Sequence, residues 1–538
     1  MKKGLAFLLA LMLLFGCTAI AEESSWGTLA DKVQGTSKIE MITDEPVTIT
    51  IWIDFAPTDI SNLVDDIQQI DLIRTLEEKT GVDIELVVAP TDEGANNFSL
   101  LLTNRSKMPD IIIGFDAFYA KGGDAAINEG IIYDLKDLVA EYAPHYEKAR
   151  TASIYRERAS VTDEGHMPYF CQFTFNDELP MTYGGPVIRQ DLLDQLGMEM
   201  PVTFDDWHEY LKRAKDELGK VRALGFSYNG VSKYNAFNAA FDFGMADSAQ
   251  GGDFYINDGK VCFGPLAEGY KDYIHMMNSW YEEGLIDPDF TSTITFDDGI
   301  AMLSGDLCAG SSDHSGLISY INILGTAVNP DFNFVAAPYP VLKEGQILHY
   351  GYVKGGAALN YSAAVTTNCK HPEIAVKLMD QLFTDEGFML CNYGTEGKTY
   401  NLVDGLPVFT DLIANNEKGT AAHMLAAYAA AAHFPFEYVL GHADEAGLDS
   451  SALIWDTNND YAFSFPNGVT LNTAEKEVYA KYFADITTYV EEMTVQYIMG
   501  LEDVDATYDS FVETLRTELH LDDVLAAYQS AYDRYLAR

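Results

Sequence analysis

Apolar residues alternate or recur at helical spacing along the chain from residue 46 onward, and this pattern predicts strands and helices in turn. The first strands and helices are predicted at residues 47–53, 65–80, 82–88, 96–106 and 110–114. The last of these strands is apolar throughout, as is typical of a parallel strand covered on both faces. The succession predicts right-handed βαβ units and a doubly wound α/β sheet.

A second α/β run follows, which predicts two lobes joined by several crossings of the chain. A helix is expected from Thr203 to Leu218, because Thr203 and Asp206 have the spacing of a helix cap. A further alternation begins near Phe332, after a long insertion, and two strong helices close the chain at residues 475–499 and 522–536.

Domain boundaries follow from this order of elements. We expect an export signal at residues 1–21, a flexible leader at 22–45, the first part of lobe 1 at 46–175, the first part of lobe 2 at 176–345, a return to lobe 1 at 346–430, and the rest of lobe 2 with the closing helices at 431–538.

The N-terminal residues predict export. Lys2 and Lys3 precede an apolar stretch from Leu5 to Phe15 that is short for a membrane span. Two processing sites compete: lipidation at Cys17, or cleavage after Ala21, which is favoured because Phe15 fits a lipoprotein box poorly. We expect an extracellular protein associated with the cell surface, in contact with the membrane only through a lipid anchor.

Composition excludes several classes of function. With 34 Lys and Arg against 82 Asp and Glu, the net charge of −48 excludes a nucleic-acid binder with a basic surface. Apart from Cys17, the cysteines are odd in number and lack CxxC spacing, so we expect mainly buried thiols, with one disulfide as the alternative. We expect no cofactor and no metal; the acidic run at 456–460 resembles a calcium loop, but Tyr461 replaces its glycine.

Several local phrases, taken in order, resemble one protein family. The phrases are residues 187–197, 200–207, 281–290, 337–343, 385–387, 393–400 and 531–535. They are similar to extracellular solute-binding proteins (family 1) of bacterial carbohydrate ABC transporters, in particular a large, lipoprotein-like subgroup of Gram-positive bacteria. The resemblance implies a two-lobe, type II periplasmic-binding-protein-like fold. It also implies a monomer that holds its ligand in a cleft and delivers it to the transmembrane subunits of a permease.

A sugar cleft needs aromatic platforms beside carboxylates and amides. The candidate ligand-binding residues are Trp52, Asp54, Asp116, Tyr169, Tyr234, Asn235, Asn238, Asp313, His314, Tyr352 and Glu396. Trp52 and Asp54 close the first predicted strand and Asp116 closes the third. The loop with Tyr234, Asn235 and Asn238 is one where the family usually contacts ligand. The alternatives are structural: core packing for Trp52 and Tyr169, caps or turns for Asp116 and Asp313, and bracing of its own turn for Glu396.

The sequence therefore predicts a carbohydrate-binding protein of an importer, and not an enzyme. GxSxG, HExxH and Walker A strings are absent from the sequence. A secreted hydrolase that uses a cleft carboxylate pair stays open as an alternative, as does a peptide-binding or sensor protein on the same fold. The net charge favours a neutral glycan over an anionic one, although a local Arg or Lys can still pair with a carboxylate.

Overall fold

The structure is a computed structural model, and it describes most of the chain from residue 29 onward. The described residues are 29–54, 63, 67–90, 93–174, 184–220, 223–225, 236–244, 254–292, 307–312, 315–349, 357–414, 416, 424–425, 427–428, 434–439, 450–455, 457–466 and 468–538.

The strands form two main sheets and two hairpins. They are β1 Val47–Ile53, β2 Val82–Val88, β3 Ile111–Ile113, β4 Phe170–Thr174, β5 Gly185–Arg189, β6 Phe254–Asn257, β7 Lys260–Phe263, β8 Ala309–Ser312, β9 Phe334–Ala336, β10 Ala357–Val365, β11 Tyr400–Val403, β12 Leu406–Phe409 and β13 Glu437–Tyr438.

Helices cover the faces of the sheets and close the chain. They are α1 Leu29–Val33, α2 Asp71–Thr80, α3 Gly94–Thr103, α4 Phe115–Phe118, α5 Gly123–Asn128, α6 Lys136–Tyr142, α7 Pro144–Arg150, α8 Ile154–Ala159, α9 Gln190–Leu196, α10 Phe204–Leu218, α11 Tyr270–Glu282, α12 Ser315–Thr326, α13 Pro372–Asp380, α14 Asp385–Tyr393, α15 Asp411–Ala414, α16 Ser450–Trp455, α17 Thr473–Ile498, α18 Val504–Glu513 and α19 Leu521–Ala537.

Lobe 1 is built on a six-stranded sheet of order β13-β4-β10-β3-β1-β2. Strand β1 runs parallel to both β2 and β3, which confirms the predicted βαβ units, whereas β10 runs antiparallel to β3 and β4. Helix α2 ends where Gly81 adopts a φ of 73°, and the N–H of Gly81 donates to the carbonyl of Glu77 at 3.0 Å. Glycine tolerates this left-handed conformation, and the chain then turns directly into β2.

Lobe 2 surrounds a three-stranded sheet of order β8-β5-β9, in which β5 is antiparallel to both neighbours. Its core also includes residues of the closing helices α17, α18 and α19, such as Ile486, Phe511 and Val524. The predicted capped helix is confirmed: the side chains of Thr203 and Asp206 each accept a hydrogen bond from the backbone N–H of the other residue. The closing helices therefore share a core with the three-stranded sheet.

The N-terminal segment differs from the flexible leader that its composition predicts. From Leu29 to Glu45 the chain lies on lobe 1, with Ile39 buried. The Ser37 hydroxyl donates to Asp385 Oδ2 at 2.7 Å, and the Ile39 N–H donates to Glu386 Oε2 at 3.0 Å. Because these partners lie more than three hundred residues away in sequence, the local pattern could not reveal them.

The last crossing into lobe 2 also lies later than predicted. Phe434 and Phe436 are buried in the lobe 1 core, and β13 pairs in parallel with β4. The predicted change of lobe at residue 430 is therefore too early, since residues 434–439 still belong to lobe 1. The segment around Glu437 is held by side chains from distant parts of the chain, which a local composition shift does not report.

The described cysteines bear out the expectation of buried thiols. Cys171, Cys308, Cys369 and Cys391 are buried, Cys262 is partly buried, and none of these five cysteines forms a disulfide bond. Burial raises the pKa of Cys171 and of Cys369 to about 12, so both stay protonated at neutral pH. Among the helices of the described residues, none is both long and apolar enough to cross a membrane.

Glu437 joins three parts of lobe 1 through buried charges. The fully buried Arg156 donates from Nη1 to Glu437 Oε1 at 3.0 Å, and Lys32 binds Oε2 of the same carboxylate. Burial alone would raise the pKa of Glu437, but the two cations outweigh it and the pKa is lowered. The carboxylate is therefore ionised in the folded protein, and it fixes both α1 and β13.

We expect Glu437→Gln to lower the free energy of unfolding by about 3–5 kcal/mol at pH 7, because it removes the buried carboxylate that pairs with the buried Arg156. The folded pKa of Glu437 is lowered, so the stabilisation by its carboxylate is fully present above the unfolded pKa. This stabilisation is lost as the pH falls toward the folded pKa. Denaturant unfolding of both proteins at several pH values measures the difference. Glu78→Gln, at an exposed position of α2, is the control; equal stability of the two variants would contradict a structural role for this carboxylate.

Candidate functional site

The carboxyl ends of β1 and β3 lie at one edge of the lobe 1 sheet, as the parallel pairing requires. At the end of β1, Trp52 is fully buried and donates from Nε1 to Asn97 Oδ1 at 2.8 Å. Its ring packs against Phe98 and Phe118 in the core, with ring centroids 6.1 and 5.4 Å away. Trp52 therefore takes the core position that was its structural alternative, and it presents no exposed face in this structure.

Asp54, two residues further along, is partly buried against the first residue of α3. A Cβ atom at Gly94 would lie 2.0 Å from Asp54 Oδ2, so a side chain at this position would require the carboxylate to move. A carboxylate at the start of a helix is stabilised by the helix dipole. The position of Asp54 thus has a local structural explanation, and its role in ligand binding stays a prediction.

Asp116 occupies the first turn of α4, directly after β3. Gly114 adopts a φ of 72° between the strand and the helix, and its N–H donates to the Ser362 carbonyl of β10 at 2.7 Å. The Ser362 hydroxyl donates in turn to Asp116 Oδ1. Burial raises the pKa of the Asp116 carboxyl, and the hydrogen bond from Ser362 offsets only part of this effect.

A cavity of about 600 Å³ opens beside Asp116, between lobe 1 and the closing helices of lobe 2. We call it the inter-lobe cavity. Its walls are formed by Asp116, residues 119–125, Asn128, residues 159–164, Pro168, Tyr169, Cys171 and Ser362 of lobe 1 and by residues 470–473, Lys476, Arg534 and Arg538 of lobe 2. Its volume is in the range of pockets that hold small ligands.

Tyr169 brings an aromatic ring to the same cavity. The ring is partly buried, with its centroid 6.0 Å from that of Phe115. Burial raises the pKa of the Tyr169 hydroxyl, and the nearby Asp116 carboxylate raises it further. The structure thus brings together two of the predicted site residues, Asp116 and Tyr169, as a carboxylate and a hydroxyl-bearing ring on one cavity wall.

Charged side chains link the two lobes along another wall. The Asp163 carboxylate of lobe 1 accepts from Arg534 at 2.7 Å and from Arg538 at 2.7 Å, both in lobe 2. Arg534 also binds Glu475, the third residue of α17, at 2.6 Å. Burial alone would raise the pKa of Asp163, but the two guanidinium groups outweigh it and lower the pKa.

One group of side chains beside the cavity has atoms close enough to hold a metal ion. Ligand atoms of Asp124, Glu164 and His166 lie within 4.8 Å of one another. However, His166 Nδ1 already forms a hydrogen bond with Asp124 Oδ1 at 3.0 Å. An ion at this position would have to replace that hydrogen bond.

The remaining predicted site residues lie elsewhere or outside the described residues. Asn238 is fully buried in lobe 2, where its Nδ2 donates to the Phe243 carbonyl at 2.9 Å. Glu396 is exposed in the turn before β11, where the Gly397 N–H donates to the Tyr400 carbonyl at 2.8 Å. Outside the described residues lie Tyr234, Asn235, Asp313, His314, Tyr352 and the proposed lipidation site Cys17.

The sequence analysis did not predict the three cationic residues that lobe 2 contributes to the cavity: Lys476, Arg534 and Arg538. The sequence marks the helices that carry them but not the direction in which they face. The capping pair Asn472 and Glu475 signals the start of α17 and so places Lys476 in its first turns. Only the packing of lobe 2 against lobe 1 shows that this helix end faces the cavity.

Two α/β lobes, several chain crossings and a cavity between the lobes define a two-lobe ligand-binding protein. Residues 62–387, more than half of the chain, match the family of the bacterial extracellular solute-binding protein. The chain belongs to this family, as the resemblance of its phrases implied.

Similar proteins agree with this assignment. Over 453 residues the chain is 21% identical to the lipoprotein LipO of Bacillus subtilis (strain 168), covering 82% of this chain and 84% of LipO. The substrate-binding protein FusA of a Streptococcus pneumoniae ABC transporter, solved in complex with kestose, has a TM-score of 0.68 at 20% identity, covering 91% of this chain and 99% of FusA. The alginate-binding protein AlgQ2, solved without calcium ion, has a TM-score of 0.65 at 22% identity. The match covers 92% of this chain and 100% of AlgQ2. These structures share the fold, which confirms the predicted two-lobe architecture.

We expect Asp163→Asn to weaken the contact between the lobes, because the amide carries no charge to hold Arg534 and Arg538. The Asp163 side chain keeps 21% of its surface exposed, so we expect a loss of only about 1–2 kcal/mol in the free energy of unfolding at pH 7. Because the folded pKa is lowered, this loss should shrink as the pH falls below the unfolded pKa of about 4. Denaturant unfolding at pH 7 and at a pH below about 4 measures the effect. Asp331→Asn, at an exposed position, is the control. A loss that does not change with pH would contradict the ion-pair explanation.

We expect Asp116→Asn to leave the stability at pH 7 unchanged or higher, since the raised pKa means that ionised Asp116 is disfavoured in the folded protein. The wild-type protein should lose stability as the pH rises from about 4 through the raised folded pKa of Asp116. In this pH range the folded state still holds a proton on Asp116 that the unfolded state has already released. The asparagine variant should lack this part of the pH dependence. Thermal unfolding across the pH range tests it, and a variant that is less stable at every pH would contradict the argument.

Proposed function

We propose that the protein is the extracellular substrate-binding component of an ABC importer and that it captures a carbohydrate, an oligosaccharide, in the cleft between its lobes. It then delivers the ligand to the transmembrane subunits of a permease. In this proposal the protein acts as a monomer, carries no cofactor and does not alter its ligand chemically. Closure of the two lobes around the ligand would change the surface that the permease contacts.

The observation that carries the proposal is the meeting of Asp116, Ser362 and Tyr169 at the inter-lobe cavity. A carboxylate accepts hydrogen bonds from sugar hydroxyls, and an aromatic ring packs against the apolar face of a sugar. These groups lie at the carboxyl end of β3, where ligands bind in open α/β sheets. The cavity also borders both lobes, so a bound ligand would contact both of them.

Membership in an extracellular solute-binding family supports the importer role. The structure of FusA contains kestose, and AlgQ2 is an alginate-binding protein, so proteins with this fold include binders of saccharides. We propose that residues 1–21 are the export signal. The protein would be tethered at Cys17 or released after Ala21, and the mass of the N-terminal peptide of the mature protein distinguishes the two.

We expect one class of oligosaccharide to raise the unfolding temperature of the protein that lacks residues 1–21. A ligand at 100 times its dissociation constant adds about 2.7 kcal/mol to the free energy of unfolding. The panel includes fructo-oligosaccharides, mannose-containing glycans, uronate oligosaccharides, amino acids and peptides. Asp116→Asn should weaken binding of the active class about 10- to 100-fold, because a hydrogen bond to a charged group contributes about 1.5–3 kcal/mol. Asp331→Asn should bind like the wild type.

Two results would contradict the proposal. A folded protein that responds to peptides and to none of the saccharides would support the peptide-binding alternative. An increase in reducing ends during long incubation of the active oligosaccharide with concentrated protein would indicate a hydrolase. Loss of that activity in Asp116→Asn would then assign a catalytic role to this carboxylate.

A further inference from the structure

The cations of the inter-lobe cavity differ in how they are neutralised. Among the described residues, four cationic side chains line the cavity. Lys121 pairs with Glu129 at 2.7 Å, and both Arg534 and Arg538 bind the Asp163 carboxylate. These three side chains therefore already have carboxylate partners from the protein.

Lys476 is the exception. Its ammonium group is partly buried in the second turn of α17 and donates to the Ala120 carbonyl of lobe 1 at 2.8 Å. Within the part of the chain that the structure describes, Lys476 forms no ion pair. An ammonium group has three donors, so the hydrogen bond to Ala120 leaves two of them for other partners.

The position of Lys476 is unfavourable for a charge in the absence of a counter-charge. Burial lowers the pKa of Lys476, and no carboxylate opposes this effect. A buried cation without a counter-charge costs free energy, and an anion nearby would recover part of it. The protein thus keeps at its cavity a cation that an acidic group would stabilise.

The end of helix α17 adds to the positive potential at this point. The helix is 26 residues long, and Asn472 and Thr473 at its N-terminus also line the cavity. A helix N-terminus attracts anions through its dipole. The acidic residue of its first turn, Glu475, is already bound to Arg534 at 2.6 Å, which offsets its negative charge.

The carboxylates that line the cavity have partners other than Lys476, or lie at its rim. Asp124 is bound by His166 at 3.0 Å, and Asp163 is bound by two arginines. Burial raises the pKa of the Asp116 carboxyl, whose Oδ1 accepts a hydrogen bond from the Ser362 hydroxyl. Glu164 is exposed at the rim. Among the described residues, none of these carboxylates forms an ion pair with Lys476.

We propose that the inter-lobe cavity binds an acidic saccharide, and that Lys476 Nζ pairs with the carboxylate of a uronic acid residue in it. This inference rests on the proposed function and narrows its ligand class. It differs from the neutral glycan that the net charge favours, because net charge acts at long range whereas Lys476 acts in contact. A single ammonium group suits one carboxylate; the forked guanidinium groups, which suit phosphate or sulfate better, are already occupied.

The test compares acidic saccharides with their neutral counterparts. Isothermal titration calorimetry is carried out with oligogalacturonate, oligoalginate and oligoglucuronate, each against its methyl ester, and with kestose as a neutral oligosaccharide. At least one uronate should bind 10-fold or more tightly than its ester. Lys476→Gln should abolish that difference, and Lys476→Arg should keep most of it. Lys481→Gln, at an exposed position of the same helix, is the matched control.

The outcomes separate this inference from the proposed function. Equal binding of acid and ester, persistence of the preference in Lys476→Gln, or binding of kestose with no binding of any uronate would overturn the inference and leave the importer role intact. Failure of every saccharide to bind the folded wild type would overturn both. Circular dichroism and thermal unfolding of Lys476→Gln establish that the variant is folded, and we expect no loss of stability from removing a desolvated charge.

Discussion

The two guanidinium groups of Arg534 and Arg538 share one carboxylate, that of Asp163, and this contact holds α19 of lobe 2 to lobe 1. The wall of the inter-lobe cavity depends on it, because Arg534 also binds Glu475 and so positions the N-terminus of α17. A chain with only 34 cationic residues against 82 acidic ones has few cations available for such contacts. Because Arg534 binds one carboxylate from each lobe, Asp163 and Glu475, this contact constrains the geometry of the cleft.

The excess of acidic residues repels an anionic ligand at long range, whereas inside the cavity the ligand meets individual charged side chains. Repulsion of an anion by the whole protein extends over about one Debye length, roughly 10 Å at 0.1 M salt. Inside the cavity Asp163 is already paired with two arginines, whereas Lys476 forms no ion pair within the described part of the chain. Net charge therefore governs how fast an anionic ligand arrives, and the local pairing governs how long it stays.

Local patterns in the sequence were sufficient for the elements and for the class of fold. The strand at residues 47–53 and the helix that begins after Thr203 are formed by alternation and capping, which are properties of neighbouring residues. The packing of residues 29–45 on lobe 1 and the late crossing after residue 439 depend instead on contacts such as that between Lys32 and Glu437. Their partners are distant in sequence, and nothing in the local pattern selects them.

The candidate site shows the same division between local and distant causes. The rule that ligands bind at the carboxyl ends of parallel strands identified both β1 and β3, but it could not distinguish the two ends. Helix α3 covers the end of β1, so Trp52 bonds to Asn97 and becomes part of the core. The end of β3 leads into the short helix α4, and Asp116 in the first turn of this helix lines the inter-lobe cavity. The residue that reaches the cavity is thus selected by what packs over each strand end, which the strand's own sequence does not encode.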